Sequence, residues 1–219
     1  MRQPAARRDD DLLSIIVVSW NTRDLLAECL GSLAAGCGAH AGSVAPPAWV
    51  ETIVVDNAST DGSAGMVEER FPWARLLTNG DNVGFARANN QALAGAGGRF
   101  LLLLNSDTRV APGALRTLID FMGSHPLAGA VGPQLLNADG SVQPSCFPMM
   151  TPSREFWRLA FLDLLLPRAT YGRSFWRRES PAQVGYIMGA CLLLRRAALD
   201  EVGLLDDSYF MYSEEVDLC

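Results

Sequence analysis

The sequence predicts an α/β domain with a mostly parallel sheet and helices on its faces. Short apolar runs, each followed by a polar cluster and a segment of helical period, alternate four times over about 120 residues. The first run, Ser14–Ser19 (SIIVVS), is β-branched without alternation, as in a strand buried on both faces. The charged segment before it, 1–13, is expected to be frayed. Asn21 or Thr22 can cap the next helix, where Leu25, Leu26, Cys29, Leu30 and Leu33 recur at helical spacing. Gly36–Pro47 reads as a loop and Thr52–Val55 (TIVV) as a second buried strand. A polar stretch, Asp56–Ser63, leads into a short helix ending near Arg70. Ala74–Leu77 is the third strand, Gly84–Ala96 a helix and Phe100–Leu104 (FLLLL) the fourth strand. Pro112–Met122 then forms a helix with proline in its first turn.

The half from 133 to 219 has another rhythm, and we separate it from the α/β half, 14–132. Asn137-Ala138-Asp139-Gly140 reads as a hairpin turn between short strands. Thr151–Pro167 is amphipathic and rich in Phe, Trp and Leu, inside an insert spanning 151–180. Gln183–Arg195 returns to a buried, strand-like run.

Composition excludes several chemistries. The chain has 219 residues and net charge -6, and all 18 of its basic residues are arginine. Without lysine there is no Schiff-base chemistry and no Walker A loop. Any phosphate must be met by arginine, backbone N–H groups or a metal. The length suits one domain, or one and a half, with a substantial core. Five cysteines without a C-x-x-C pair read as reduced thiols of a cytoplasmic protein. Two histidines exclude a histidine-rich zinc site. No apolar run approaches the roughly 20 residues of a membrane span, and the polar start is no signal peptide. The acidic balance argues against nucleic-acid binding.

Chemistry collects at the strand exits. Ligands of open α/β sheets bind beyond the carboxyl ends of the strands. Here Trp20-Asn21, Asp56-Asn57, Thr78–Asn82 and Asn105-Ser106-Asp107 all fall at such ends. Asn and Asp also form turns and caps, but four clusters on one edge point to a site. A carboxylate at Asp107 can hold a hard divalent cation that bridges substrate phosphates. A second acidic cluster, Asp206, Asp207, Glu214, Glu215 and Asp217, contains no base. Repulsion between adjacent carboxylates raises a pKa and suits one of Glu214 and Glu215 to general-base work, while acids in a first helical turn also complement its dipole.

Five stretches together resemble the glycosyltransferase family 2 enzymes of GT-A fold, above all their rhamnosyltransferase-like branch. They are SIIVVSWNTRDLLAECLGSL (Ser14–Leu33), TIVVDNASTDGS (Thr52–Ser63), NVGFARANNQAL (Asn82–Leu93), LLLLNSDT (Leu101–Thr108) and the final Gly189–Cys219. The resemblance implies that Asp56, in the motif that also holds Asn57 and Asp61, bonds the base of a nucleotide-sugar donor. Ser19 and Asn21 would line that pocket. Asn82 and Gly84 would pass close to the donor, with Arg87 near its diphosphate. Asn105 and Asp107 occupy the family's D-x-D positions, so Asp107 would be the ligand of Mg²⁺ or Mn²⁺. Gly189 and Ala190 would line the sugar pocket. Glu215 aligns with the usual base of the family's E-D pair, and the choice between Glu214 and Glu215 stays open.

One base and no evident nucleophile favour inversion by direct displacement. The implied donor is a dTDP- or UDP-linked sugar, plausibly rhamnose, and the acceptor a cell-envelope glycan or polyprenyl-diphosphate-linked lipid. A sugar-nucleotide pyrophosphorylase would need a Gly-rich, basic first loop, which Ser14–Asp24 lacks. A silent nucleotide-sugar-binding module would tolerate loss of Asp107 and Glu215, both present. The insert holds six arginines between Arg154 and Glu179 among Phe156, Trp157, Phe161, Tyr171, Phe175 and Trp176. It either lies at a bilayer interface, placing the protein at the inner face of the plasma membrane, or packs its apolar side on the core. Because related enzymes continue past the acidic motif, the chain is expected to be truncated at its C-terminus.

Overall fold

A computed structural model describes residues 13–39, 43–161, 170–178 and 180–219. In chain order the elements are β1 (Leu13–Ser19), α1 (Arg23–Gly36), β2 (Val50–Asp56), α2 (Ser63–Arg70), β3 (Arg75–Thr78), α3 (Phe85–Gly95), β4 (Phe100–Asn105) and α4 (Ala114–Ser124). There follow β5 (Ala130–Val131), β6 (Leu135–Leu136), β7 (Val142–Gln143), β8 (Cys146–Phe147), α5 (Pro152–Leu159), α6 (Arg173–Trp176), β9 (Tyr186–Ile187), β10 (Cys191–Arg195), α7 (Arg196–Val202) and α8 (Glu214–Leu218).

The main sheet runs β3-β2-β1-β4-β10-β5. Its first four strands are parallel, and β10 and β5 add antiparallel pairings. Alternation along the buried strands sorts their side chains to two faces. Ile15, Val17, Val54, Leu102, Leu104 and Leu193 meet α1, α2 and α4. Ile16, Ile53, Val55, Leu101, Leu103 and Leu192 meet α3 and α7. On that second face α3 offers small side chains, Ala86, Ala88 and Ala92, which let the helix lie close to the sheet.

The four predicted strands, and the helices between them, form within a residue or two of their expected bounds. Pro112 is a correction: it lies outside α4, and Gly113 in left-handed conformation occupies the N-cap. Gln183–Arg195 is also not one strand. The chain pairs with β8 through β9, turns at Met188–Ala190, and then enters the main sheet as β10. The 137–140 turn joins β6 to β7 as expected, with Asn137 and Ser141 closing it. Of the amphipathic segment, α5 is described, whereas 162–169 lies outside the described residues.

Candidate active site at the strand ends

The crossover from β1 leads to β2 on one side, while β4 flanks β1 on the other, so the sheet's topological switch point lies at the end of β1. Register places Ser19 beside Asp56 and Val18 beside Asn105. Thr78 at the end of β3 is in turn the register partner of Asp56, so all four predicted clusters converge on one edge. Asp56 is only 4% exposed. Its Oδ2 accepts the Ser59 N–H at 3.0 Å, while its Oδ1, buried, has no hydrogen-bond partner among the described residues. Leaving a buried acceptor unmet costs about 1–3 kcal/mol, and an N–H donor on a ligand would relieve it.

The neighbours of Asp56 hold the loops in place. Asn21, with φ 53, donates its N–H to Ser59 Oγ at 2.9 Å and accepts the Thr60 N–H at 2.8 Å. Asp61 accepts from Arg23 N–H at 2.9 Å and from the backbone and hydroxyl of Ser63, so one carboxylate ties the first turns of α1 and α2. Burial pushes its carboxyl up, but those hydrogen bonds outweigh it and hold Asp61 below the usual carboxylate value. Buried Asn57 donates to Asn82 Oδ1 at 2.7 Å and accepts from Asn79 Nδ2 and Val83 N–H. Asn82 in turn accepts the Gly84 N–H at 3.0 Å. The side chains of Asn21, Asn57, Asp61 and Asn82 are thus all engaged within the protein. Positive φ at Asn21 and Ala58, and again at Tyr212 and Ser213, falls in the loops around this edge.

At the end of β4, Asn105 N–H and Thr108 Oγ1 both donate to the Ala190 carbonyl, at 3.1 and 3.3 Å. That contact seats the Asn105–Thr108 turn on the Gly189-Ala190 step, and Gly189 lies buried near Phe85. Asp107 is exposed at the tip of the turn. No group of three or more His, Cys, Asp or Glu is placed to hold a metal among the described residues. A hard oxygen donor at Asp107, with the Asn105 carboxamide nearby in the turn, fits a cation that shares its coordination with substrate phosphates, as Mg²⁺ or Mn²⁺ does. It does not fit a closed protein cage. Beneath the turn, Cys29 donates to the Asn105 carbonyl, and burial followed by the Asp107 charge pushes its thiol up to about 12.

The segment before α8 docks along α3. Arg87 Nε donates to the Asp207 carbonyl at 3.2 Å and sits 3.6 Å from its carboxylate. Asn90 exchanges two hydrogen bonds with the Leu205 backbone, and the Phe85 N–H donates to the Phe210 carbonyl at 2.8 Å. A Cβ at Gly84 would lie 2.5 Å from that carbonyl, so the backbone that approaches Gly84 is that of Phe210. Past this clamp stand Glu214 and Glu215, and the Oε2 atom of each is buried without a hydrogen-bond partner among the described residues. Burial, and then the Glu215 charge, raises the Glu214 carboxyl above the usual glutamate range. Desolvation outranks the repulsion expected from the sequence. Glu215 faces β9, where its charge adds to burial in raising the Tyr186 hydroxyl.

Thr22, expected only as a cap, and Ser106, Asn90 and Phe210 make contacts that no local sequence pattern marks. Their roles depend on partners distant in the chain. In the insert, α5 buries none of its residues, and Phe156 and Phe161 are 69% and 75% exposed. A cavity of about 1010 Å³ lies elsewhere, between the end of α4, β5, α7 and residues 180–187, and shares no lining residue with the strand-end site.

The profile of glycosyl transferase family 2 matches residues 14–203. The chain is 33% identical over 222 residues to N-acetylglucosaminyl-diphospho-decaprenol L-rhamnosyltransferase of Mycobacterium tuberculosis, covering 95% of this chain and 69% of that one. It is 30% identical over 174 residues to the O-antigen biosynthesis protein RfbC of Myxococcus xanthus, covering 77% of this chain and 13% of that one. Among solved structures, a mannosyltransferase of Pyrobaculum calidifontis in complex with GDP-Man and Mn²⁺ superposes with TM-score 0.60 at 20% identity, covering 94% of this chain. Residues 1–349 of S. aureus TarS, in complex with UDP, give TM-score 0.61 at 22% identity and 94% coverage. The chain spans 50% and 53% of those two structures.

Proposed function

Since the chain belongs to glycosyl transferase family 2, we propose that it moves a sugar, plausibly rhamnose, from a nucleotide-diphosphate donor to a cell-envelope glycan or polyprenyl-diphosphate-linked acceptor. The observation that carries this reading is the buried, unpartnered Oδ1 of Asp56 at the switch point. The imide N–H of thymine or uracil would supply the donor it lacks, in keeping with a dTDP- or UDP-linked sugar. Ser19, Asn21, Asn57, Asp61, Asn82 and Gly84 form or brace the base pocket, with Arg87 toward the diphosphate. Gly189 and Ala190 border the sugar. The half 14–132 then serves the donor and the half 133–219 the acceptor.

Asp107, with Asn105 beside it, would hold a divalent cation, which when bound supplies Lewis-acid stabilisation of the leaving diphosphate. Glu215 or Glu214 takes the proton of the acceptor hydroxyl. That oxygen attacks the anomeric carbon from the face opposite the diphosphate, and the configuration inverts. The Oε2 atom of each carboxylate is buried, which limits competition from water there. The exposed Phe156 and Leu159 of α5, with Phe161 just beyond and Arg154 and Arg158 beside them, support peripheral association with the inner face of the plasma membrane, where a polyprenyl-linked acceptor resides.

Calorimetric titration of the full chain with dTDP and UDP, with and without Mn²⁺, tests the donor reading. Asp56→Ala is expected to weaken nucleotide binding at least about tenfold, by loss of a charge-assisted bond. Asp107→Ala is expected to keep metal-free nucleotide binding and lose sugar transfer. Full transfer by Asp107→Ala, or metal-independent turnover, would overturn the cation's role.

A further inference from the structure

Thr22 occupies the N-cap of α1, a position where threonine ordinarily accepts a hydrogen bond from the first helical turn. Its side chain makes no such bond, while Asp61 separately accepts the N–H of Arg23, the first residue of the helix. The Thr22 hydroxyl stands between two others, 2.9 Å from Ser19 Oγ and 2.9 Å from Ser106 Oγ. Both outer serines are buried, at 1% and 8% exposure. Ser19 is the register partner of Asp56, and Ser106 lies between Asn105 and Asp107. A chain of three hydroxyls therefore joins the strand end that holds Asp56 to the turn that carries Asp107. The threonine hydroxyl, unused as a cap, serves this link instead.

We propose that Thr22 is a positioning residue that fixes the Asp107 turn at its working distance from Asp56. This rests on the donor reading above, in which Asp56 receives the base and Asp107 the cation at the diphosphate. On the β10 side the same turn is anchored to the Ala190 carbonyl. The Thr22 link is its polar anchor on the α1 side, alongside the weak thiol bond from Cys29. Without it Ser106 loses a buried partner and the turn gains freedom. The nucleobase pocket keeps its own braces at Asn21, Asn57 and Asp61.

The test is nucleotide binding by calorimetry on the full chain, with UDP and dTDP as probes, in the absence and presence of Mn²⁺. Direct Mn²⁺ binding is followed by electron paramagnetic resonance. Thr22→Val, which keeps the shape and removes the hydroxyl, is expected to bind metal-free nucleotide within about twofold of wild type. It should lose the Mn²⁺-dependent gain in affinity by about fivefold or more, the loss of one buried hydrogen bond. Thr22→Ser restores the gain, Ser106→Ala reproduces the loss, and the double variant loses no more than either single one. Thermal melting of each variant separates this effect from a fold defect. A Mn²⁺ response unchanged in Thr22→Val would overturn the role of Thr22 while leaving that of Asp107 intact. Equal loss with and without metal would make Thr22 a merely structural residue. A wild type indifferent to Mn²⁺, with Asp107→Ala equally indifferent, would overturn the cation reading and this role together.

Discussion

At Gly84 the backbone adopts φ 86, and the carbonyl of Phe210 occupies the space a side chain would need. Gly84→Ala therefore meets both a left-handed backbone and a backbone clash, costing about 1–3 kcal/mol. The cheapest relief is to release the 205–213 segment from α3. We expect that variant to lose transfer at least about tenfold and become sensitive to proteolysis near Tyr212; an intact proteolytic pattern would contradict it. Glu214 carries the opposite kind of tension. Its carboxyl is raised by burial above the ordinary 4.5, so the folded protein holds that proton more tightly than the unfolded chain. Stability then falls as pH climbs from about 4.5 through the raised value, since ionising the buried group costs the folded state. Glu214→Gln removes this slope, and urea midpoints measured from pH 4 to 8 should converge with wild type in acid and exceed it at neutral pH. Parallel profiles would show that Glu214 contributes no linkage.

Among the elements, α5 makes the clearest claim on the surroundings. It presents Phe156 and Leu159 to solvent, with Phe161 just beyond, and the exposed Arg158 is paired to Glu155 on the same helix. Replacing Phe156, Leu159 and Phe161 with serine is expected to reduce co-sedimentation with anionic phospholipid vesicles about tenfold or more, because each buried aromatic or aliphatic side chain contributes about 1.5–3 kcal/mol. Unchanged sedimentation, or none by wild type, would place the helix against protein instead. The long apolar strands were legible in the sequence because burial on both faces leaves an unbroken run, as in FLLLL at Phe100–Leu104. The two-residue strands β5, β8 and β9 were not, since two residues carry no period and their pairing partners lie far along the chain. The site divides in the same way. Asp56, Asp107 and Glu215 stand out as acids at predictable strand or helix ends. The work of Thr22 or Asn90 depends on Ser106 and Leu205, contacts that no local pattern announces.

For the whole molecule, the absence of lysine shapes more than the strand-end site. Arg195 donates to the carbonyls of Met122, His125 and Ala128, and Arg196 to those of Ala96 and Gly98. Each planar fork gathers several carbonyls that a single ammonium group would not hold in the same geometry. Both arginines sit where β10 meets α7, so the insertion of β10 between β4 and β5 also secures the ends of α3 and α4. This strand order has a consequence for biosynthesis. The chain emerges from the ribosome in sequence order, and β4 is complete long before Arg195 exists. At about 5–20 residues per second, its apolar hydrogen-bonding edge waits on the order of several seconds for its permanent neighbour. A chain stopped at Gly189 is expected to enter inclusion bodies, while the chain through Cys219 stays soluble; equal solubility of the two would refute this. Co-translational chaperones, or slowed translation ahead of residue 191, would then decide the yield of active enzyme.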